Sequence, residues 1–475
     1  MNAIDFDTQT EALLCPPDYV NPTPKDRYHL VVVGAGSAGL ICAIGAAGLG
    51  AKVALIEKAA MGGDCLNYGC VPSKALLAYT HAHENATFAE AFEHMRKVRA
   101  DIAPHDSVQR YSELGVDVFF GDAQFNDAGK ICVGDTVFNT RRTVLCTGAS
   151  ASVPPVPGLA DVDPLTNESV FSLQDAPRRL AILGGGVIGC ELATVFARLG
   201  VETHIFEMAP RILPLELEDA AEDVAASLQA LGVHLHLGHP VTNVAGDSTQ
   251  ATITSDAGSV EVDRVLVALG RAPNTRNLNL DKAGVELDER GFIRSDDKLR
   301  TTNKEIFTAG DCTAKLQFTH HADAQARVVV QNALILPSAS TAGFVVPHCT
   351  YTQPEIASVG VVKEASDAEH DVYTWDLAEL DRSRAQGSGG RVIVVTAKGK
   401  DKIEGASIVA PEAGELIAMI CILMSNGMGL SAAGKTILPY PTRSEFIKRL
   451  ADAYNRTRVT PLVSRIFDTW LRVFS

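Results

Sequence analysis

The sequence predicts an α/β protein with two related parallel-sheet units, followed by an α+β region toward the C-terminal end. Three observations predict it. Residues 30–57 read LVVVGAGSAGLICAIGAAGLGAKVALIE, and residues 180–207 read LAILGGGVIGCELATVFARLGVETHIFE, a repeat at an offset of 150. Each copy passes from an apolar β-type run through a helical pattern to a second apolar run. The length, 475 residues and 50.5 kDa, leaves room for roughly three domains at about 150 residues each.

Composition narrows the function. Hydrophobic residues make up 46% and charged residues 21%, which allows a packed core and excludes global disorder. The balance of 42 Lys+Arg against 57 Asp+Glu, net -15, argues against a nucleic-acid binder and against general attraction to anionic lipid. No uninterrupted apolar run reaches the ~18 residues a membrane-spanning helix needs. The opening MNAIDFDTQTEALL lacks the basic and apolar regions of a secretory signal, so residues 1–27 are read as a short leader. The ten cysteines are scattered, and only Cys65 and Cys70 lie close together. A cytoplasmic setting is expected, where a close pair points to catalysis or metal binding rather than a structural bridge.

The repeated motif comes first along the chain. In each copy the G-x-G-x-x-G pattern follows a strand and opens a helix, the context that dinucleotide binding requires. Gly34 and Gly184 make the tight turn. Gly36 and Gly186 let a pyrophosphate approach the backbone, and Gly39 and Gly189 let helix pack on strand. The helix N-terminus offers N–H groups and a positive dipole end to the phosphates. Glu57 and Glu207, each 23 residues after the first glycine, can accept hydrogen bonds from ribose hydroxyls. Two such Rossmann-like units imply two dinucleotides. A carboxylate at Glu207 favours NAD(H) over NADP(H), whose extra phosphate it repels; Arg211 keeps NADP(H) open.

Next comes MGGDCLNYGCVPSKALL, residues 61–77. Residues five apart in a regular helix rise about 7.5 Å along the axis. A disulfide wants Cα atoms within about 7 Å. A bond between Cys65 and Cys70 therefore needs a distorted backbone, which Asn67 and Gly69 tolerate. Pro72 fits a helix start, with Lys74 one turn in. A disulfide strained in this way is easily reduced, and a thiolate near a helix N-terminus and a lysine has a lowered pKa. The alternative is two buried cysteines beside a turn.

The stretch G-G-x-C-L-N-x-G-C-V-P-S-K resembles the active-site motif of the FAD-dependent pyridine nucleotide-disulfide oxidoreductases. That family includes dihydrolipoamide dehydrogenase, glutathione reductase and mercuric reductase. LCTGA (145–149), ALGRAPNT (268–275), TAGDC (308–312) and PHCTYTQPEIASVG (347–360) resemble further family motifs in the family's order. The resemblance runs from about residue 28 to 450. It implies an FAD domain in two parts, 28–155 and 281–345, an NAD(P) domain at 156–280, and a C-terminal α+β dimerisation domain at 346–475. The strand RVIVVT (391–396) and the helix ELIAMICILM (415–424) suit that last domain. A homodimer is expected.

The resemblance also implies roles. Electrons would pass from NADH through FAD to the Cys65–Cys70 disulfide and on to a disulfide or thiol-bound acceptor. Cys70 matches the cysteine nearer the flavin, and Cys65 the outer one that attacks substrate. Lys74 matches a lysine beside the flavin, with Glu191 as its counter-charge. FAD would be held by Gly34, Gly36, Ser37, Ala38, Gly39, Glu57 and Lys58. Gly63, Asp64, Ala123, Thr147, Gly148, Gly310 and Asp311 complete that set, with Asp311 on the ribityl chain. The nicotinamide nucleotide would be held by Gly184, Gly186, Val187, Ile188, Gly189, Glu207, Gly270 and Arg271. In FTHHADAQAR (318–327), Thr319 reads as a helix N-cap. His320 matches a family histidine or is a helix-start residue without chemistry. No metal ligands are read from the sequence.

One family motif departs. Where His-Pro-Thr-x-x-Glu is usual, this chain has YPTRSE, residues 440–445. Tyr440 stands in the histidine's place, and Glu445 remains. Tyrosine titrates near 10 and is a poor general base at pH 7. Efficient oxidation of dihydrolipoamide, or reduction of a glutathione-type disulfide, is therefore not expected. Tyrosine here is similar to mercuric reductases, where metal reduction needs ligand exchange instead. Yet the sequence has no C-x-x-C before residue 28 and no adjacent cysteines near its C-terminal end. A mercuric-reductase-like branch without the metal relay is expected. The remaining alternative is a flavoprotein electron-transfer subunit with no small substrate of its own. Finally, Val463, Ile466, Phe467, Trp470, Leu471 and Phe474 fall on one face of a helical pattern. That helix either docks on the dimer or lies on a membrane or partner surface.

Overall fold

A computed structural model gives the structure of the protein, described for residues 5–313 and 316–474. It divides into two compact units. One holds the chain up to Pro210 and Gly232–Gly343; the other holds Arg211–Leu231 and the chain from Phe344 onward.

The first unit contains two parallel sheets. One has five strands in the order Ile306–Thr308, Thr140–Leu145, Tyr28–Val33, Val53–Glu57, Val116–Phe120. The other has four, in the order His234–Leu237, Glu202–Glu207, Arg179–Leu183, Arg264–Val267. All pairings within both sheets are parallel. The apolar runs of the repeat form adjacent strands, and their continuous character follows from burial on both faces. Val31, Val32, Leu55 and Ile56 are buried, as are Ala181, Ile182 and Ile205. In each copy chain order reverses at the first strand of the repeat, the topological switch where α/β sheets bind ligands. A three-stranded antiparallel sheet spans residues 241–262.

Described residues ahead of the first strand are built into this unit. Asp5 caps the helix Phe6–Leu14 by accepting from Thr8 N–H. Leu14 is buried, and its carbonyl accepts from Met61 N–H at 3.0 Å. The Tyr19 hydroxyl donates to Val118 O at 2.9 Å.

The second unit is an antiparallel five-stranded sheet in the order His348–Thr350, Glu355–Gly360, Ile403–Ala410, Arg391–Ala397, His370–Asp376. The helices Ala413–Ser425 and Phe446–Thr457 share its core through Ile417, Ile420, Phe446 and Leu450. Each fully buried side chain of this size is worth about 1.5–3 kcal/mol. The segment Arg211–Leu231 joins this unit through buried Glu216, which accepts from Ser358 Oγ at 3.0 Å and lies 2.8 Å from His348 Nε2. The chain ends in the helix Pro461–Phe474, which buries no side chain.

Candidate functional site

The two glycine turns have nearly the same geometry. Gly34 has φ +100° and Gly184 φ +112°. A Cβ at either would lie 2.3 Å from Cys146 O or 2.4 Å from Ala268 O. A Cβ at Gly39 or Gly189 would come within 1.8 or 2.0 Å of the first glycine's carbonyl. These four glycines are steric requirements of the fold. The middle pair is different. A Cβ at Gly36 would meet only Gly63 Cα, at 3.8 Å, and one at Gly186 would meet nothing within 4 Å. Open space thus lies where each helix presents its first N–H groups. Ser37 and Ala38 open the helix Ser37–Gly48; Val187 and Ile188, both exposed, open the helix Val187–Arg198. This arrangement fits a diphosphate in each unit.

The carboxylates close the same loops. Glu57 accepts from Ala35 N–H at 2.7 Å and from Lys58 and Ala59 N–H at 2.8 and 2.9 Å. Glu207 accepts from Gly185 N–H at 2.8 Å and from Ala209 N–H at 2.8 Å. Each glutamate therefore ties its strand end to its own glycine turn, a role beyond the ribose contact the sequence suggests.

The backbone breaks between the two cysteines. Cys65 sits in the short helix Gly63–Asn67, and Cys70 is the first residue of the helix Cys70–Ala82. The distortion lies at Tyr68 and Gly69 rather than at Asn67. Gly69 has φ -136° and ψ -109°, and a Cβ there would lie 2.9 Å from Asp64 Oδ2. Asn67 is helical and buried, its amide donating to Met61 O and Gly63 O. Pro72 is inside the second helix, two residues past its first.

In the dithiol form shown by the structure, Cys65 and Cys70 have opposed acidities. Cys70 is pushed down to about 6. The cause is first a hydrogen bond from Cys65, then Thr319 and the charge of Lys74, all against burial. The same bond, with burial, raises the Cys65 thiol far above its usual range. Cys70, at a helix N-terminus that favours negative charge, is thus the more acidic of the two. Thr319 Oγ1 lies 3.4 Å from Cys70 Sγ. The sequence points to Thr319 as a helix cap. It is instead the first helical residue of Thr319–Val330, with Phe318 at the cap.

Lys74 Nζ lies 2.6 Å from Glu191 Oε2, and the Glu191 side chain is 3% exposed. A carboxylate so buried needs the ammonium. Arg271 links two further acids. Its Nη1 is 3.2 Å from Asp64 and its Nε 3.6 Å from Asp311, while Nη2 donates to Ala149 O. Burial raises Asp311 above the usual carboxylate range, and Arg271 opposes that. Asn167 donates to Asp64 at 2.8 Å, a contact no sequence signal marks.

The remaining predicted residues are spread over several elements of the first unit. Thr147 and Gly148 follow the strand Thr140–Leu145, and no atom would meet a Cβ at Gly148 or Gly270 within 4 Å. Gly310 packs on Ala38 and donates its N–H to Gln325 at 2.7 Å. Ala123 begins a strand of a separate small antiparallel sheet. His320 is exposed and stacks on Phe318, whereas His321 is buried and contacts Gln325. These open turns and unshielded helix ends fit the flavin dinucleotide that the resemblance implies.

Tyr440 and Glu445 belong to the second unit. Tyr440 is exposed, and its hydroxyl donates to Asp381 Oδ2 at 2.7 Å. That bond, then the charge of Asp381, raises the phenol above its ordinary value. Glu445 pairs loosely with Arg449 at 3.9 Å.

Comparison with known proteins adds to this geometry. A family model described as pyridine nucleotide-disulphide oxidoreductase matches residues 28–326. A second, for the dimerisation domain of the same family, matches residues 346–451. The chain is 32% identical over 455 residues to a mercuric reductase of Acidithiobacillus ferrooxidans, covering 90% of this chain and 83% of that one. It is 32% identical over 445 residues to a dihydrolipoyl dehydrogenase of Chlamydia muridarum, covering 89% and 95%. Among solved structures it resembles the HOCl-induced flavoprotein disulfide reductase RclA from Escherichia coli. There the TM-score is 0.82 and the identity 30%, over 90% of this chain and 99% of that one.

Proposed function

The chain belongs to the pyridine nucleotide-disulphide oxidoreductase family, and on that premise we propose that it reduces a disulfide or thiol-bound acceptor with NADH, through FAD and the Cys65–Cys70 pair. Family members bind FAD and NAD(P)H, and the chain is an oxidoreductase acting on a sulfur group. The observation that carries the proposal is geometric: Cys65 lies in a short helix just before Cys70, which opens the next helix with Thr319 Oγ1 at 3.4 Å, and Lys74 one turn on is paired with buried Glu191.

Bound FAD would supply a two-electron relay between nicotinamide and disulfide. The protein's own part is positioning and proton control. Gly34, Gly36 and Gly39 with the helix behind them would hold the FAD diphosphate, and Gly184, Gly186 and Gly189 that of NADH. Lys74, fixed by Glu191, would set a positive charge beside the flavin. Asp311, Arg271 and Asp64 would orient its polar chain. In the dithiol form Cys65 attacks once its proton has moved to Cys70. A bond forms between Cys65 sulfur and one acceptor sulfur, and the other acceptor sulfur leaves. Cys70 gives its proton to the first leaving thiolate and, as a thiolate, attacks Cys65 sulfur; the second acceptor sulfur leaves and takes up a proton from solvent, which restores the Cys65–Cys70 disulfide. The net change is one acceptor disulfide, NADH and a proton converted to two thiols and NAD⁺.

Glu207 supports NADH, and Arg211 is committed elsewhere, donating to the carbonyls of Leu213, Pro214 and Glu216. Tyr440, its hydroxyl donating to Asp381 and its phenol held above the ordinary value, cannot act as a base at neutral pH. That favours acceptor reduction over dithiol oxidation. It also favours a second reading, reduction of thiolate-bound mercury(II), the activity named for relatives at 32% identity. The dimerisation domain supports a homodimer. No described helix is long and apolar enough to cross a membrane, and a reducing, cytoplasmic setting suits a close cysteine pair used for catalysis.

The test is anaerobic reduction by NADH, then reoxidation with a panel of disulfides, mercury(II) in excess thiol, and quinones. Turnover with a disulfide or mercury(II) supports the proposal. Reoxidation by quinones alone, unchanged when Cys65 is replaced by Ser, would overturn it.

A further inference from the structure

We propose that the edge of the four-stranded parallel sheet carries a metal site, made by Glu202, His204 and His234 and taking a divalent ion of the zinc or nickel class. The argument starts from strand geometry. Side chains two apart on a strand share a face, so Glu202 and His204 project together from Glu202–Glu207. His234 is the registered partner of His204 on the neighbouring strand. That strand, His234–Leu237, is the edge of the sheet. Parallel pairing thus brings together three ligating side chains that the sequence keeps apart.

The distances suit an ion. One ligand atom from each residue lies within 4.8 Å of the other two. His204 Nε2 is 3.1 Å from Glu202 Oε1. Tetrahedral zinc with bonds near 2.0–2.1 Å sets its ligands about 3.3 Å apart. The exposed Glu202 and His234 can draw in by that difference, while His204 is buried and fixed.

The surroundings are built as metal sites are. His204 Nδ1 is 3.2 Å from His236 Nε2. A proton on Nδ1 leaves Nε2 as the ligand, the orienting role that outer hydrogen bonds play around ligating histidines. The His236 ring is itself held flat on Phe206, with centroids 4.3 Å apart and planes at 7°. The nearby Arg179 is already paired with Asp263 and Glu261 at 3.7 and 4.0 Å. Exposure of two ligands leaves a fourth position for water. Imidazole nitrogen with one carboxylate selects zinc or nickel over calcium or magnesium. The bare alternative is ring stacking alone, for which His204 and His234 lie 4.6 Å apart.

The experiment uses the full-length flavoprotein with Cys65→Ser and Cys70→Ser, so that the redox thiols cannot bind the ion. Zinc(II) is titrated calorimetrically, and cobalt(II) is followed by its absorption spectrum. We expect one equivalent bound with nitrogen and oxygen ligation. Affinity should fall at least about tenfold in His234→Ala and in Glu202→Gln, and stay unchanged in His239→Ala. Zinc should also raise the melting temperature of the parent but not of His234→Ala. Both variants alter exposed side chains, so loss of fold would not confuse the outcome. Unchanged affinity in both, or a sulfur-to-cobalt band in the spectrum, would overturn the proposal. It stands apart from the redox reading, because its test omits both redox cysteines.

Discussion

Cys70 owes its low pKa first to a single neighbour, which makes the pair testable one residue at a time. As pH falls through about 6 the thiolate should disappear, read as ultraviolet thiolate absorbance in the reduced protein. Cys65→Ala removes the hydrogen bond and should raise that midpoint by about one unit or more. A midpoint that stays put would show that Lys74 and the helix end hold the charge instead. Lys74→Met leaves Glu191 buried without its cation and should cost about 2 kcal/mol in urea unfolding, less than a fully buried pair because Lys74 reaches solvent. Glu191→Gln added to it should restore most of the loss. At this scale the sequence was a partial guide. The closeness of Cys65 to Cys70 and the pairing of Lys74 with Glu191 are legible from motif and chemistry. Thr319 beside Cys70, Asn167 on Asp64, and Asp381 on Tyr440 are not, because each contact joins segments far apart in the chain. Thr319 is misleading for a further reason: a threonine before a helical run satisfies the capping pattern whether or not it is the cap.

At the scale of elements, the repeated glycine turn separates folding from binding. Gly189→Ala would press a Cβ to 2.0 Å from Gly184 O, so it should destabilise the protein by about 3 kcal/mol in thermal or urea unfolding. Gly186→Ala meets nothing within 4 Å and should leave the melting temperature unchanged. It should raise the NADH KM roughly tenfold, about 1.4 kcal/mol of binding, by filling the space before the helix. Equal damage from both would mean that the turn serves the fold alone. These strand–helix–strand units are legible because their demands are local and steric. The break between the cysteines was legible as a distortion but not in its place. Side-chain hydrogen bonds hold Asn67 in the helix and leave Tyr68 and Gly69 to make the turn. The terminal helix was legible from its periodicity, and its exposed Trp470, Phe467 and Phe474 leave both readings of it standing. Truncation after Thr460 tests them: loss of the dimer in sedimentation supports docking, and loss of vesicle binding by an intact dimer supports a surface role.

For the whole molecule, the decisive question is how electrons leave. Tyr440→His should raise disulfide turnover by about tenfold if a missing base is the limit, with mercury(II) turnover little changed. The family, its two nucleotide units and its dimerisation domain were legible because their motifs recur in order along the chain. The acceptor was not, since it depends on what meets Cys65 from outside. The most direct measurement is to reduce the full-length flavoprotein anaerobically with NADH, alkylate it, and map the labelled cysteines by mass spectrometry. Two new thiols per chain, at Cys65 and Cys70, are predicted. Full flavin reduction with no new label at either position would contradict the account.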